Sequence, residues 1–336
     1  MLDNAIAQKA GLGIPLSRRE LDAWQAERIK EVIVHARKNS RFYKDMPELP
    51  ENGFPEAFKA LPFTTPDDLK ADPGAFLCVH PDDVDRITTL TTSGSTGAPK
   101  RIFSSAEDLE NTVCHFMWGM NEFVKEGDRV LSLYPGKTEH GMNDLLRKGL
   151  ERLGVPMLIY GIPKDHQKLF ETIQRENITF IAGPAPVVHE AASISKEMKA
   201  AGSLADRIKG VLVSAAYVSD SCRSDIKDIW HCSMNEHYAM TETGFEGAVS
   251  CPVCGNFHVW ECGLYYEIID PVSGKELPDG QTGELVVTTL DRRAMPLIRY
   301  RTGDITKMLP QSGCGSNLKT IERVHDRPEK KHLSGQ

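Results

Sequence analysis

Between residues 129 and 238 short apolar runs alternate with stretches of helical periodicity, and nothing else in the chain constrains the fold as tightly. Strands are expected over 129–134, 157–160, 179–182, 210–214 and 235–238. Helices are expected over about 144–153, 165–176, from near 186, and over about 219–230. Parallel strands need a crossover, and an intervening helix supplies it, so the pattern predicts βαβ units. The expected fold class is α/β, with parallel sheets flanked by helices on both faces. Ligands of such sheets bind beyond the carboxyl ends of the strands. Gly94, His140, Gly183, Ala215 and Thr241 each follow an expected strand, so one crevice can collect them.

The flanking segments carry local signals of their own. Ser17 with Glu20 and Ser105 with Asp108 have capping-box spacing, so a helix is expected after each, the second reaching about Phe123. The first carries Leu21, Trp24, Arg28, Val32 and Ala36 at helical spacing. Thr65-Pro66-Asp67-Asp68 is another helix start, with proline in the first turn and acids at the positive dipole end. A strand is expected over 87–92. After Cys251 the texture changes: 265–269 and 284–290 read as strands joined through the turn-rich 271–283. An α/β core over 1–250 and a smaller, mostly-β portion over 251–327 are therefore expected, with 328–336 a short tail.

Of 336 residues, 40% are apolar and 26% charged, the mix of a soluble globular protein. A net charge of −7 with no basic stripe or arm argues against nucleic acid or an anionic membrane as partner. The N-terminus has no signal-peptide apolar core, and no apolar run approaches a membrane span, so a cytoplasmic location is expected. Eight cysteines are too sparse for a disulfide scaffold. Cys78, Cys114, Cys222 and Cys232 lie in or beside apolar or helical stretches and are expected as buried thiols.

Thr91-Thr92-Ser93-Gly94-Ser95-Thr96-Gly97-Ala98-Pro99-Lys100 has almost nothing able to fill a core. Its glycines let backbone N–H groups approach phosphate oxygens, its hydroxyls add donors, and Lys100 adds a point charge. It is not a Walker A loop, because Lys100 follows proline and no Ser or Thr comes after it. By composition alone it reads equally as a flexible surface loop.

Two further motifs accompany it: His237-Tyr238-Ala239-Met240-Thr241-Glu242-Thr243-Gly244 and Tyr300-Arg301-Thr302-Gly303-Asp304. Together and in this order they resemble the phosphate loop, the aromatic-x-x-Thr-Glu signature and the Tyr-x-Thr-Gly-Asp signature of the acyl-adenylate-forming superfamily. Leu61-Pro62-Phe63-Thr64-Thr65 and Glu267-Ile268-Ile269-Asp270-Pro271 resemble its phenylacetate–coenzyme A ligase branch, and the likeness runs from about Pro15 to Arg327. The resemblance implies that a carboxylate attacks the α-phosphorus of ATP, giving acyl-AMP and pyrophosphate, and that a thiol, usually coenzyme A, then displaces AMP. It places Thr92, Ser93, Gly94, Ser95, Thr96, Gly97 and Lys100 on the phosphates. It makes Thr241 a phosphate contact, Glu242 a magnesium ligand and Tyr238 the adenine-stacking aromatic. Asp304 would accept from both ribose hydroxyls, as one carboxylate can, and Arg327 stands at the hinge arginine. Ala215 and Ala216, with Tyr217, occupy the place of the branch's Gly-Ala-Glu-Pro and are expected at the adenine edge. Tyr134, His140 and Gly183 are candidates for the acyl pocket; His140 is equally readable as a histidine satisfied by neighbouring backbone.

Cys251-Pro252-Val253-Cys254-Gly255 has zinc-knuckle spacing, with His258 four residues on and Cys314-Gly315 in a distant turn. Such a set suits tetrahedral, structural zinc. Some members of the branch carry a comparable clip, whose second half reads Cys-x-Cys-Gly; here Ser312 replaces the first cysteine, and Cys262 is a spare candidate. Four free thiols are the alternative.

The leading expectation is an ATP-dependent activator of a small carboxylic acid, aromatic ones included, using magnesium, structural zinc and coenzyme A. Family members continue past the hinge into a lid domain, for which the residues after Arg327 are too few, as expected equally of a shortened protein, of one whose lid a partner supplies and of a fragment; a separate lid-domain or acyl-acceptor protein, or a homodimer, is a partner consistent with the reading. An AMP- or acyl-AMP-binding module without catalysis, and an enzyme that acylates a protein cysteine, are the other functions open to it.

Overall fold

Side-chain caps start the helices where the spacing predicts. The computed structural model describes residues 2–50, 53–90, 99–311 and 313–324. Helix α1 (Leu2–Ala10) precedes α2 (Arg18–Asn39), which opens where Ser17 Oγ accepts from the Glu20 N–H. After α3 (Glu56–Lys59), α4 (Pro66–Ala71) opens on a reciprocal Thr65–Asp68 cap. Strands β1 (Arg86–Leu90) and β2 (Lys100–Ser104) form an antiparallel hairpin in which Leu90 pairs with Lys100. The Ser105–Asp108 capping box then starts α5 (Ala106–Met120).

The βαβ region follows: β3 (Val130–Ser132), α6 (Met142–Glu151), β4 (Met157–Ile159), α7 (His166–Arg175), β5 (Phe180–Pro184), α8 (Ala185–Glu197), α9 (Ala201–Ala205), β6 (Gly210–Ser214), α10 (Asp220–Trp230) and β7 (Ser233–Ala239). The rest of the chain is mostly strand: β8 (Gly247–Ser250), β9 (Phe257–Val259), β10 (Leu264–Ile269), β11 (Gly283–Thr289), β12 (Tyr300–Thr306), β13 (Met308–Leu309) and β14 (Thr320–Ile321).

A nine-stranded sheet, in the order β13-β14-β9-β8-β7-β6-β5-β3-β4, is the centre of the molecule. From β4 to β7 every pairing is parallel, and from β7 to β13 every pairing is antiparallel. Successive strand residues point to opposite faces, and the core divides accordingly. Leu131, Ile181, Val211 and Val213 pack with Leu169, Val188 and Trp230 of α7, α8 and α10. Their neighbours Val130, Phe180, Ala182 and Leu212 pack on the other side with Val113, Phe116, Leu145 and Leu150 of α5 and α6. Through the middle of the parallel sheet, covered on both faces, neighbouring strand residues are therefore apolar on either side, and the polar Ser132 and Ser214 stand at strand ends.

Pairing turns antiparallel at β8, just before Cys251. Strands β9, β13 and β14 remain in the large sheet, while β10, β11 and β12 form a separate antiparallel one. Strand β12 was hidden in the sequence because Tyr-Arg-Thr-Gly-Asp contains a turn residue. Gly303 takes φ 75 there, and the β11 register shifts between Glu284 and Val286 opposite it. Residues 91 and 92 of the strand expected over 87–92 lie outside the described residues.

Candidate active site

The carboxyl ends of the parallel strands are fixed by buried polar contacts. Ser132 donates to Asn143 Oδ1 at 2.6 Å, and Asn143 Nδ2 donates to the carbonyls of Tyr134 and Gly136 at 2.9 and 2.7 Å. One buried amide at the start of α6 therefore shapes the loop leaving β3. The Tyr134 hydroxyl then meets Ser214 Oγ at 2.6 Å, tying that loop to the end of β6. Immediately beyond, Ala215 takes φ 65, a left-handed turn uncommon outside glycine.

That turn opens a cavity of about 250 Å³ lined by Ala215, Ala216, Tyr217, Tyr238, Asp304 and Arg323, among others. Tyr238 comes from the end of β7 and Asp304 from β12, so the cavity joins the two sheets. The Tyr238 hydroxyl donates to Asp304 Oδ2 at 2.6 Å. The Asp304 N–H in turn donates to Thr302 Oγ1 at 3.0 Å, whose hydroxyl donates to the Leu285 carbonyl at 2.8 Å.

Along β12, Tyr300, Thr302, Asp304 and Thr306 are the buried positions of an alternating strand. Four residues of strand span roughly 13 Å, and at the Tyr300 end lies a second polar cluster. Lys100 Nζ donates to Glu242 Oε1, and the Tyr300 hydroxyl stands 3.3 Å from both groups. Both charged side chains are about nine-tenths buried, 8% and 10% exposed. Lys100 is placed there by β2, and Glu242 by the loop that leaves β7.

Of the residues expected from sequence, Ala215, Ala216, Tyr238 and Asp304 share the cavity, and Lys100 and Glu242 meet at the other end of the same strand. The Thr241 carbonyl accepts from the Gly244 N–H in the loop that carries Glu242. Thr92, Ser93, Gly94, Ser95, Thr96, Gly97 and Arg327 lie outside the described residues. The acyl-pocket candidates do not line the cavity. Gly183 has a packing reason to be glycine, since a Cβ there would come within 2.9 Å of Leu133 Cβ. His140, at φ 57, donates its N–H to Asp144 Oδ2 at 3.0 Å.

Sequence reasoning passed over Arg323, Glu236 and the hydroxyl of Tyr300. Glu236 lines the cavity and accepts from Arg223 Nε at 2.9 Å, while Arg323 donates to Asp220 Oδ1 at 3.0 Å. Tyr300 stood inside a recognised motif; the other two had no local signal. Behind Tyr238, the half-buried His237 brings Nε2 within 3.1 Å of Nε2 of the buried His115. Burial pushes the His237 imidazolium down to about 4, and burial with the neighbouring His237, Lys9 and Arg292 pushes His115 well below its ordinary range.

Away from this cavity, Cys251, Cys254, His258 and Cys314 bring their ligand atoms within 4.8 Å of one another. His258 Nε2 is 3.5 Å from Cys254 Sγ and 3.6 Å from Cys314 Sγ. Zinc bonds of about 2.3 Å to sulfur and about 2.0 Å to nitrogen give a tetrahedral S···N edge of about 3.5 Å, so the spacing fits that ion. The Val253 N–H donates to Cys251 Sγ at 3.4 Å, and Gly255 turns the knuckle at φ 73. Cys262 is not part of this group; it is fully buried beside Trp260 and Leu318.

The AMP-binding enzyme family matches residues 17–290. A phenylacetate-coenzyme A ligase from Pseudomonas putida is 28% identical, over 94% of this chain and 73% of its own length. Its counterpart from Escherichia coli strain K12 is 27% identical over 92% and 72%. Among solved structures, 2-hydroxyisobutyryl-CoA ligase in complex with 2-HIB-AMP and CoA superposes with a TM-score of 0.80 at 21% identity, covering 92% of this chain and 68% of that one. No helix among the described residues is long and apolar enough to cross a membrane.

Proposed function

The chain belongs to the AMP-binding enzyme family, and from that premise we propose that it activates a small carboxylic acid with ATP and transfers the acyl group to coenzyme A. One observation carries the reading: Tyr238 and Asp304 share a cavity at the strand ends, and Lys100 and Glu242 meet at the other end of β12. The relatives named as phenylacetate-coenzyme A ligases, and the solved ligase holding an acyl-AMP and CoA, support it.

In this reading the substrate carboxylate bonds to the α-phosphorus while the bond from that phosphorus to the pyrophosphate oxygen breaks. Chemistry of this kind needs charge stabilisation more than proton transfer. Tyr238 stacks on adenine beside Ala215 and Ala216, and Asp304 accepts from the ribose hydroxyls. Lys100, with the hydroxyls and N–H groups of 92–97, neutralises the departing pyrophosphate; Thr241 adds a hydroxyl, and Arg327 a ribose contact. Tyr134, His140 and Gly183 border the acid's side of the strand ends.

Two metals belong to the proposal. Glu242 is a lone, part-buried carboxylate beside the phosphate end, the donor magnesium takes when phosphates and water complete its shell. The ion's contribution when bound is to offset charge on the phosphates. Cys251, Cys254, His258 and Cys314 hold zinc as a structural clip joining the 251–258 turn to the segment before β14. The small acid, aromatic ones included, is the partner; ATP and coenzyme A as co-substrates accord with a cytoplasmic location.

Acid-dependent exchange of labelled pyrophosphate into ATP, across a panel of small aromatic and aliphatic acids, tests the first half, and thioester release on adding coenzyme A tests the second. Nucleotide binding without exchange for any acid would favour a binding module instead. Label from the acid fixed to protein in thiol-labile form would favour protein acylation.

A further inference from the structure

The loop from Met240 to Glu246 carries Thr241 and Glu242, and it is bent into a shape that a free chain does not keep. Gly244 takes φ 67 and Phe245 φ 68, two left-handed residues in succession. Phenylalanine there is unusual, and such conformations persist only where the surroundings impose them. Inside the loop, Gly244 N–H donates to the Thr241 carbonyl at 3.0 Å and Phe245 N–H to the Met240 carbonyl at 2.9 Å. Thr243 Oγ1 adds contacts to the carbonyls of Met240 at 3.0 Å and Glu246 at 2.6 Å.

From behind, the loop is held by Arg292, on the segment that follows β11. Its Nη2 donates to Glu246 Oε1 at 2.9 Å, to Thr112 Oγ1 at 2.9 Å and to the Gly244 carbonyl at 3.4 Å, and its Nη1 donates to the Asp108 carbonyl at 2.8 Å. Thr112 Oγ1 itself donates to the Gly244 carbonyl at 2.9 Å. The guanidinium also lies flat against the glycine: a Cβ at Gly244 would come within 2.3 Å of the guanidinium carbon. The arginine cannot drift, because Asp108 anchors its own backbone, accepting from the N–H groups of Arg293 at 2.5 Å and Ala294 at 3.0 Å. Arg292 is 5% exposed and Glu246 not at all.

We propose that Arg292 is a positioning residue: through Gly244, Glu246 and Thr112 it holds the 240–246 loop in the one shape that presents Glu242 to Lys100 and Tyr300. It touches none of those three groups, and among the described residues it is the side chain that joins α5, the segment after β11 and this loop. The inference rests on the assignment of Glu242 to magnesium made above. Its consequence is selective, because a slackened loop degrades the metal end of the site while Tyr238 and Asp304, held by β7 and β12, still bind nucleotide.

Two variants test it. Arg292→Lys keeps a positive charge opposite Glu246 but cannot reach acceptors spaced for a planar fork. Thr112→Val removes the hydroxyl between guanidinium and loop and leaves Arg292 in place. The measurements are the magnesium concentration giving half-maximal pyrophosphate exchange, AMP affinity by calorimetry without magnesium, and a thermal melt to establish folding. Both variants are expected to need about tenfold more magnesium, the low end of what loss of a supporting partner costs a metal-ligating side chain, with AMP affinity within about twofold of wild type. Unchanged magnesium dependence in the folded variants overturns the proposal, and so does a loss of AMP affinity in proportion, which marks general loosening. If Arg292→Lys does not fold, Thr112→Val decides alone. Glu242→Gln separates the two levels. A shift in that variant without a shift in the other two refutes the clasp only; no shift in Glu242→Gln refutes the magnesium assignment and the clasp with it.

Discussion

The Lys100–Glu242 pair sets up a test that needs no knowledge of the acid. Glu242→Gln removes one charge of a pair whose side chains are 8% and 10% exposed and leaves the other buried without its counterion. Breaking such a pair from one side costs about 3–5 kcal/mol, most of it the penalty of the stranded charge. The Tyr300 oxygen, 3.3 Å from Lys100 Nζ, remains as an acceptor, which favours the lower figure of about 3 kcal/mol. With an unfolding entropy of about 2.1 cal/mol/K per residue, 336 residues give about 0.7 kcal/mol/K, so Tm should fall by about 4 °C. Lys100→Met with Glu242→Gln removes both charges and should recover most of the loss.

The stranded charge also sets the response to ligand in the proposed site. In the wild type a triphosphate must draw Lys100 away from Glu242, whereas in Glu242→Gln it supplies the missing counter-charge. Pyrophosphate or ATP without magnesium should therefore raise Tm more in the variant than in the wild type. Differential scanning fluorimetry of wild type, both single variants and the double variant, with and without pyrophosphate, measures all of this. A Glu242→Gln protein melting within about 1 °C of wild type would show that no charge is stranded there, and so would a double variant that loses the sum of the singles, since coupled neighbours must depart from additivity.

Tyr238→Phe keeps the ring but deletes a 2.6 Å hydrogen bond to a carboxylate, worth about 1.5–3 kcal/mol where one partner is charged. AMP affinity should fall about tenfold at that lower bound, and calorimetry showing wild-type affinity would free Asp304 of any need for the tyrosine. The half-buried His237 sets an acid limit: its folded pKa lies below its unfolded one, so its contribution is complete above about pH 6.5 and is lost as pH falls through about 4. The loss amounts to about 3 kcal/mol, His115 acting in the same direction, so the fall in Tm across that window should be shallower in His237→Gln; equal slopes sink the idea. For the Cys251–Cys254–His258–Cys314 clip, protein purified without added zinc should hold about one equivalent and lose stability to a chelator, and less than about half an equivalent speaks against it.

How much of this could be read from the chain depends on how local each signal is. Gly210–Ser214 forms the expected strand because an unbroken apolar run between helical patterns has few other fates. Tyr238, Asp304, Lys100 and Glu242 were found through short motifs, each needing a few adjacent residues. Short strands such as β8 and β9 were not, since Gly247–Ser250 and Phe257–Val259 are too brief to show a period. The second half of the Cys/His cluster was legible only as a lone cysteine 56 residues from His258, and its approach is a fact of β14 pairing with β9.

Arg292 shows the limit of local reading most clearly. Its partners Asp108, Thr112 and Gly244 stand 184, 180 and 48 residues away, so no window along the chain joins them. Asp108 was legible as a helix cap, and it does cap α5, yet the same carboxylate also receives the backbone of Arg293 and Ala294. Gly244 was legible as part of a Thr-Glu-Thr-Gly motif, but what demands glycine there is the guanidinium pressed against it from behind. Such a motif thus mixes two kinds of residue: those assigned to the ligand in the proposed function, such as Glu242, and those that face the scaffold, such as Gly244. Only the first kind is expected to tolerate change when the chemistry changes, because the second answers to a buried arginine that the ligand never meets.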